Sequence, residues 1–162
     1  MIMQSRYLLL FSYRWDTCIK IIELAENISE EAYRENTGYG HGSIHKILFH
    51  LLRADHAWRI AIETKIQPDL LKIEDYHVLS SIKNGFINEQ TKWKELLGKI
   101  KDNEYDQDIE LTSPRGDKYS FVCWKILEHI IIHGIQHCTE ISQILTMKGH
   151  SPGDIDFLFY KG

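Results

Sequence analysis

The residues best placed to do chemistry lie in one stretch, Glu128-His129-Ile130-Ile131-Ile132-His133-Gly134-Ile135-Gln136-His137, where His129, His133 and His137 recur at intervals of four. On an α-helix that interval turns about 40° and rises about 6 Å, so successive members share a face. Two imidazoles stacked one turn apart can hold one metal ion, and the remaining protein ligand must then come from another segment.

Helical projection separates the three histidines. With His133 as zero, Ile126 and Ile144 fall near about 20°, His137 near about 40°, Ile130 near about 60° and Ile141 near about 80°. His133 and His137 therefore belong to the apolar arc. His129 falls near about −40°, on the more polar side with Gln136, Glu140 and Gln143. It suits an outer position, as a partner to a ligand or a surface residue. A second segment gives a parallel result with His50 as zero. Ala57 lies near about −20°, Ala61 near about 20°, Ala54 near about 40° and Ile47 near about 60°. His50 thus shares a buried stripe with three alanines, whose small side chains leave the room an open coordination position needs. Gly134 beside His133 could serve the same end by permitting a close helix contact.

Bland alternatives stand beside these. His50 taken alone fits a hydrogen-bonded core histidine better than a ligand. Two imidazoles inside one apolar stripe are more telling, because burying them without partners is costly. His41, His45, His56, His77 and His150 fall on loops or polar faces and read as solvated. Trp15, Trp58, Trp93 and Trp124 read as core or rim aromatics. Several metal patterns are excluded. Ile130 and Gly134 follow His129 and His133, so no His-Glu-x-x-His is present. No Glu stands three residues before His50, His133 or His137, which disfavours a di-iron carboxylate bundle. No Cys-x-x-Cys is present.

The elements that must position these residues are helical. Tyr7, Phe11, Trp15, Cys18 and Ile22 predict a first helix from about Gln4 to Asn27. Ser29-Glu30-Glu31 reads as the start of a further turn, and the glycines of Thr37-Gly38-Tyr39-Gly40-His41-Gly42 as a loop. Ser43 is the N-cap of a second long helix running to about Lys65. Pro68 closes that helix or the connection after it. A third runs from about Val78 to Lys101, with Gly85, Glu89 and Gln90 weakening its middle. Ile109 to Thr112 and Lys118 to Phe121 alternate around Ser113-Pro114-Arg115-Gly116-Asp117, the pattern of a short β-hairpin. The fourth helix starts near Phe121 and stops near Lys148-Gly149. The tail carries Ile155, Phe157, Leu158, Phe159 and Tyr160, which predicts that it packs back on the bundle. The expectation is an all-α four-helix bundle, one domain over residues 1–162.

Composition narrows the function. The chain has 162 residues, 43% of them hydrophobic, and a net charge of −4. That is enough for one core and lacks the basic footprint of a nucleic-acid binder. Leu8-Leu9-Leu10-Phe11 is too short to span a membrane, and no signal pattern opens the chain, so the expected setting is cytoplasmic. Cys18, Cys123 and Cys138 read as reduced core thiols.

The ordered set of motifs resembles the DinB/YfiT-like family over nearly the whole length. It comprises Tyr13-Arg14-Trp15, Gly42-Ser43-Ile44 leading to Ile47-Leu48-Phe49-His50 and Trp58, Leu127-Glu128-His129 with His133-Gly134 and His137, and the ending Gly149-His150-Ser151-Pro152-Gly153-Asp154-Ile155-Asp156. The resemblance implies a four-helix bundle with a long crossover between the second and third helices, and a homodimer. It also implies a metal triad of one histidine from the second helix and an i, i+4 pair from the fourth, which falls on His50, His133 and His137. Where many members carry arginine, glycine and glutamine after the last histidine, this chain has Cys138, Thr139 and Glu140, and Glu140 could act as an outer acceptor.

Three neutral imidazoles with an open position suit Zn²⁺, Ni²⁺ or Fe²⁺. Such an ion acidifies water or holds a thiol as thiolate. The resemblance further implies a small-molecule transferase or isomerase using a low-molecular-weight thiol such as mycothiol or bacillithiol. Two alternatives stay open: a non-catalytic, stress-associated metal-binding bundle, and a bundle without metal.

Overall fold

The computed structural model describes residues 3–38, 40–113 and 115–162. Tyr39 of the glycine loop and Pro114 of the hairpin turn lie outside them. Four long helices carry the architecture: α1 (Met3–Ala25), α3 (Ile44–Thr64), α4 (Leu79–Lys99) and α5 (Cys123–Met147), with a short α2 (Glu30–Arg34) after α1. An antiparallel hairpin, β1 (Asp108–Thr112) and β2 (Lys118–Val122), precedes α5. The chain is the all-α bundle its periodicity predicts, with the hairpin in the expected place.

Local chemistry explains the boundaries. The Ser29 hydroxyl accepts from Ala32 N–H at 3.1 Å and opens α2. The Ser43 hydroxyl accepts from Lys46 N–H at 3.2 Å and opens α3. Each satisfies one of the orphan donors of a helix start. Gly149, at φ 85°, ends the run after α5, and His150 N–H then reaches back to the Leu145 carbonyl at 2.8 Å.

Helix α1 packs against α4 and α5, and α3 also packs against α4 and α5. So α1 faces α3 across one diagonal of the bundle, and α4 faces α5 across the other. The connection 65–78 is the long crossover. It carries a 3₁₀ turn at Ile73–Asp75, and Gln67 N–H donates to the Thr112 carbonyl at 3.2 Å, tying the crossover to the hairpin edge. Ile109 and Leu111 of β1 are buried, whereas β2 faces outward, so the hairpin caps one end of the core.

Two apolar clusters fill the bundle. One gathers Tyr7, Phe11, Trp15, Trp93 and Tyr105 with the hairpin and the start of α5. The other gathers Ile22, Leu48, Leu52, Phe86 and Ile141. Gly85 is needed in the second, because a Cβ there would stand 2.5 Å from Leu52 Cδ2. Glu89, polar in mid-helix, is buried and ion-paired: Arg59 Nε donates to its Oε2 at 2.6 Å, and His56 Nδ1 lies 3.0 Å from Oε1.

The tail packs back only in part. Tyr13 donates to the Ile155 carbonyl at 2.7 Å, and its ring meets Phe157 and Tyr160 edge-on. Phe157, Leu158 and Phe159 of the 3₁₀ turn stay exposed, Leu158 most of all. All three cysteines are buried and free. Among the described residues, no helix is long and apolar enough to cross a membrane.

Candidate metal centre

Imidazoles from α3 and α5 converge. His50 Nε2 lies 2.9 Å from His133 Nε2. Ring centroids are 4.9 Å apart for His50 and His133, 5.0 Å for His50 and His137, and 4.7 Å for His133 and His137, each pair near edge-on. One turn of α5 separates His133 from His137, and the α3–α5 contact brings His50 opposite them. His129 is exposed and stacks on His133 at 5.5 Å, with Trp58 edge-on to its other side.

His41 is the exposed loop residue expected, and its ring also lies against the cluster. Its ring stacks on His50 at 3.9 Å and lies 5.1 Å from His137. One nitrogen each of His41, His50 and His137 falls within 4.8 Å of the others. The available signal was its setting among glycines, which frees the loop to bend back, although no periodicity marks a loop residue as inward. Two other histidines read as solvated are also engaged. His45 is buried with Nε2 2.8 Å from the Tyr76 carbonyl, and His56 bonds Glu89. Neither joins the cluster.

The surroundings of His50 and His133 keep those two rings uncharged. Burial, with His41, His137 and Arg53 nearby, pulls His50 down to about 4. Burial, with His137, His50, His129 and Arg14 nearby, pulls His133 down to about 3. Both are therefore neutral imidazoles at pH 7, the form that donates a lone pair to a cation. Glu140 Oε2 lies 2.9 Å from His137 Nδ1. A carboxylate there accepts from Nδ1–H, which leaves the Nε2 lone pair of His137 free. Glu140 Oε1 is buried and has no hydrogen-bond partner among the described residues. Imidazole nitrogens from two helices, one of them oriented by a carboxylate, form a donor set that fits a borderline divalent ion.

Beneath the cluster sits a buried charge pair that the sequence did not reveal. Arg14 Nη1 donates to Asp55 Oδ2 at 2.5 Å and Nη2 to Oδ1 at 2.9 Å, both residues almost wholly buried. Trp93 Nε1 donates to the Asp55 carbonyl at 3.2 Å. Gly134 is required here. A Cβ on it would collide with Arg14 Nε and stand 2.9 Å from Cγ. The room beside His133 thus admits an arginine side chain from α1, not a closer helix. The alanines behave likewise: Ala57 and Ala61, with Trp58, line an apolar groove of about 640 Å³ between α3 and the hairpin, one helical stretch away from His50.

Fold and cluster together place the chain among helical bundles that gather imidazoles from separate helices. The DinB family profile matches residues 3–162, and the chain belongs to the DinB family. It is also 25% identical over 132 residues to the uncharacterized protein YizA of Bacillus subtilis (strain 168), an alignment covering 82% of this chain and 81% of that one.

Proposed function

We propose that the protein is a metal-dependent enzyme whose divalent ion is held by His50, His133 and His137, and that it joins a low-molecular-weight thiol to an electrophilic small molecule, as an S-transferase or isomerase. The observation that carries this is the 2.9 Å approach of the His50 and His133 Nε2 atoms, between rings that burial keeps neutral. In such a pair one neutral ring carries its proton on Nε2 and points it at the other's lone pair; both Nε2 atoms would be free to hold a cation once that proton moves to Nδ1 of its own ring. A bound Zn²⁺, Ni²⁺ or Fe²⁺ supplies the Lewis acidity that makes a thiol ionise at neutral pH.

The chain's own groups do the rest. Glu140 fixes the ring of His137, and Trp58 and His129 wall the side of the site toward the apolar groove. In the transfer, sulfur forms a bond to the electrophilic carbon, the thiol proton goes to solvent and the leaving group departs with its bonding pair. The two histidine–glutamate pairs are otherwise engaged, Glu140 orienting the proposed ligand His137 and Glu89 held by Arg59, which favours thiol transfer over plain hydrolysis. The setting we infer is cytoplasmic, and the assembly a homodimer.

Elemental analysis of untagged protein, followed by an assay of metal-loaded protein with a thiol and an electrophile, tests this reading. Turnover that needs metal and disappears in His137→Ala is expected. Unchanged turnover in that variant would remove the mechanism. One observation favours a second, non-catalytic reading: His41 covers a face of His50 and partly closes the cluster. A metal-dependent rise in melting temperature, with no thiol binding to the loaded protein, would support it.

A further inference from the structure

We propose that His41 is a fourth, exchangeable ligand of this metal site, delivered by a glycine-hinged loop, so that the chain itself occupies the position an incoming ligand must take. This rests on the metal-site reading above.

The geometry begins in the loop. Thr37 N–H donates to the Gly42 carbonyl at 2.6 Å, which ties the two ends of the loop together. Gly38, Gly40 and Gly42 have φ of 79°, 54° and 91°, a region that side-chain-bearing residues rarely enter. Gly40 also lies directly against α5, because a Cβ there would stand 2.5 Å from Glu140 Oε1. The residue that orients His137 is therefore the one against which the loop rests, and His41 follows one position later.

The His41 ring is stacked on His50 with only 23° between planes. Imidazole lone pairs lie in the ring plane, so the tilt of His41 against His50 decides whether its nitrogen points at an ion the other rings would hold. One nitrogen of His41 already lies within 4.8 Å of a nitrogen of His50 and one of His137, so rotation about the His41 side-chain torsions would carry it into or out of a shared coordination shell. Room for that movement exists. A groove of about 380 Å³ adjoins His41 and His50 between α3 and the crossover, bordered by Lys46, Phe49, Arg53 and Lys72. A tetrahedral ion held by three helix-borne imidazoles has one position left. With His41 turned in, four nitrogens fill the shell. With it swung away toward solvent, the position is free for thiol or water. His41 then acts as an internal competitor, and the apparent affinity for any external ligand falls by the fraction of molecules in the open state.

Co²⁺ substitution reads the coordination shell directly. Wild type, His41→Ala, His41→Phe and His50→Ala are loaded with Co²⁺ and titrated with azide, following the visible ligand-field bands. His41→Phe keeps an aromatic ring to stack on His50 but has no nitrogen. Both His41 variants are expected to show a changed Co²⁺ spectrum and azide binding about tenfold tighter than wild type, while metal-free melting is unchanged. Spectra and azide affinities of both variants equal to wild type would overturn the proposal. The same result with Co²⁺ binding lost in His50→Ala leaves the underlying metal site standing. A wild-type protein that takes up no Co²⁺ overturns both.

Discussion

Gly134 of α5 and Arg14 of α1 occupy one space: the absent Cβ of the glycine is where the arginine side chain crosses to reach Asp55. Gly134→Ala must displace a buried guanidinium from its bidentate partner. Overpacking alone costs about 1–3 kcal/mol, and a disturbed buried pair adds to that. Urea unfolding is expected to show a loss of at least about 3 kcal/mol. A loss below about 1 kcal/mol would mean that Arg14 moves aside freely.

The Arg14–Asp55 pair itself has an asymmetric dependence. Removing one partner leaves an uncompensated charge in the core, so Asp55→Ala should destabilise by about 3–5 kcal/mol. Replacing both, as Arg14→Met with Asp55→Leu, removes the two desolvation terms together and should cost less than Asp55→Ala alone. The double variant melting below the single one would show that the pair is net stabilising in this bundle. The relevant comparison is made on metal-free protein, since Arg14 also lies near His133.

Glu89 gives the pH dependence a definite sign. Burial opposes its charge, but hydrogen bonds from Arg59 and His56 outweigh that and hold the carboxyl below the ordinary glutamate value. The unfolded chain then binds the proton more readily than the folded one. The contribution is fully present above the ordinary value of about 4.3 and is lost as pH falls through the lower folded value. Glu89→Gln is expected to melt lower than wild type at pH 7 and to show a flatter fall in melting temperature below about pH 4.3. Parallel curves for the two proteins would assign the acid sensitivity to other groups.

These pairs mark where the sequence stops being readable. His50, His133 and His137 could be placed because each lies within an apolar stripe on its own helix, and a stripe is a local property of 3.6-residue periodicity. The boundaries at Ser43 and Gly149 were readable for the same reason, being set by the chemistry of a single cap. Arg14–Asp55 and Arg59–Glu89 depend on which helices become neighbours. Nothing in α4 alone distinguishes a buried, paired Glu89 from a weak point in the helix. His41 is harder still, because its return to the cluster is decided by three positive-φ glycines and by the Gly40–Glu140 contact. In the tail, Ile155 and Tyr160 pack while Leu158 of the 3₁₀ turn does not, a difference that hydrophobicity alone does not set.

Metal binding should appear as stability. A ligand that binds only the folded chain adds RT ln(1 + [L]/Kd), about 2.7 kcal/mol at a hundredfold excess over Kd. For a domain of this size that raises the melting temperature by roughly 5–10 °C. Zn²⁺, Ni²⁺ or Fe²⁺ added to chelator-treated protein is expected to give such a rise, and His50→Ala or His137→Ala to abolish it. An equal rise in His50→Ala would place the metal elsewhere on the surface.

Glu140 provides the finest test, because it touches the cluster without belonging to it. Its Oε2 holds His137 Nδ1 at 2.9 Å, while Oε1 is buried against Gly40 with no hydrogen-bond partner among the described residues. Glu140→Ala leaves every imidazole in place but lets the His137 ring rotate and change tautomer. Losses of an orienting acceptor of this kind weaken metal affinity about 10–100-fold. Glu140→Gln keeps an oxygen able to accept from Nδ1–H and gives up only the charge, so its metal affinity should fall between wild type and the alanine variant. Competition with a chromophoric chelator measures all three. Glutamine and alanine variants equally weak would make the carboxylate's charge the decisive quantity. A glutamine variant matching wild type would assign the whole effect to ring orientation.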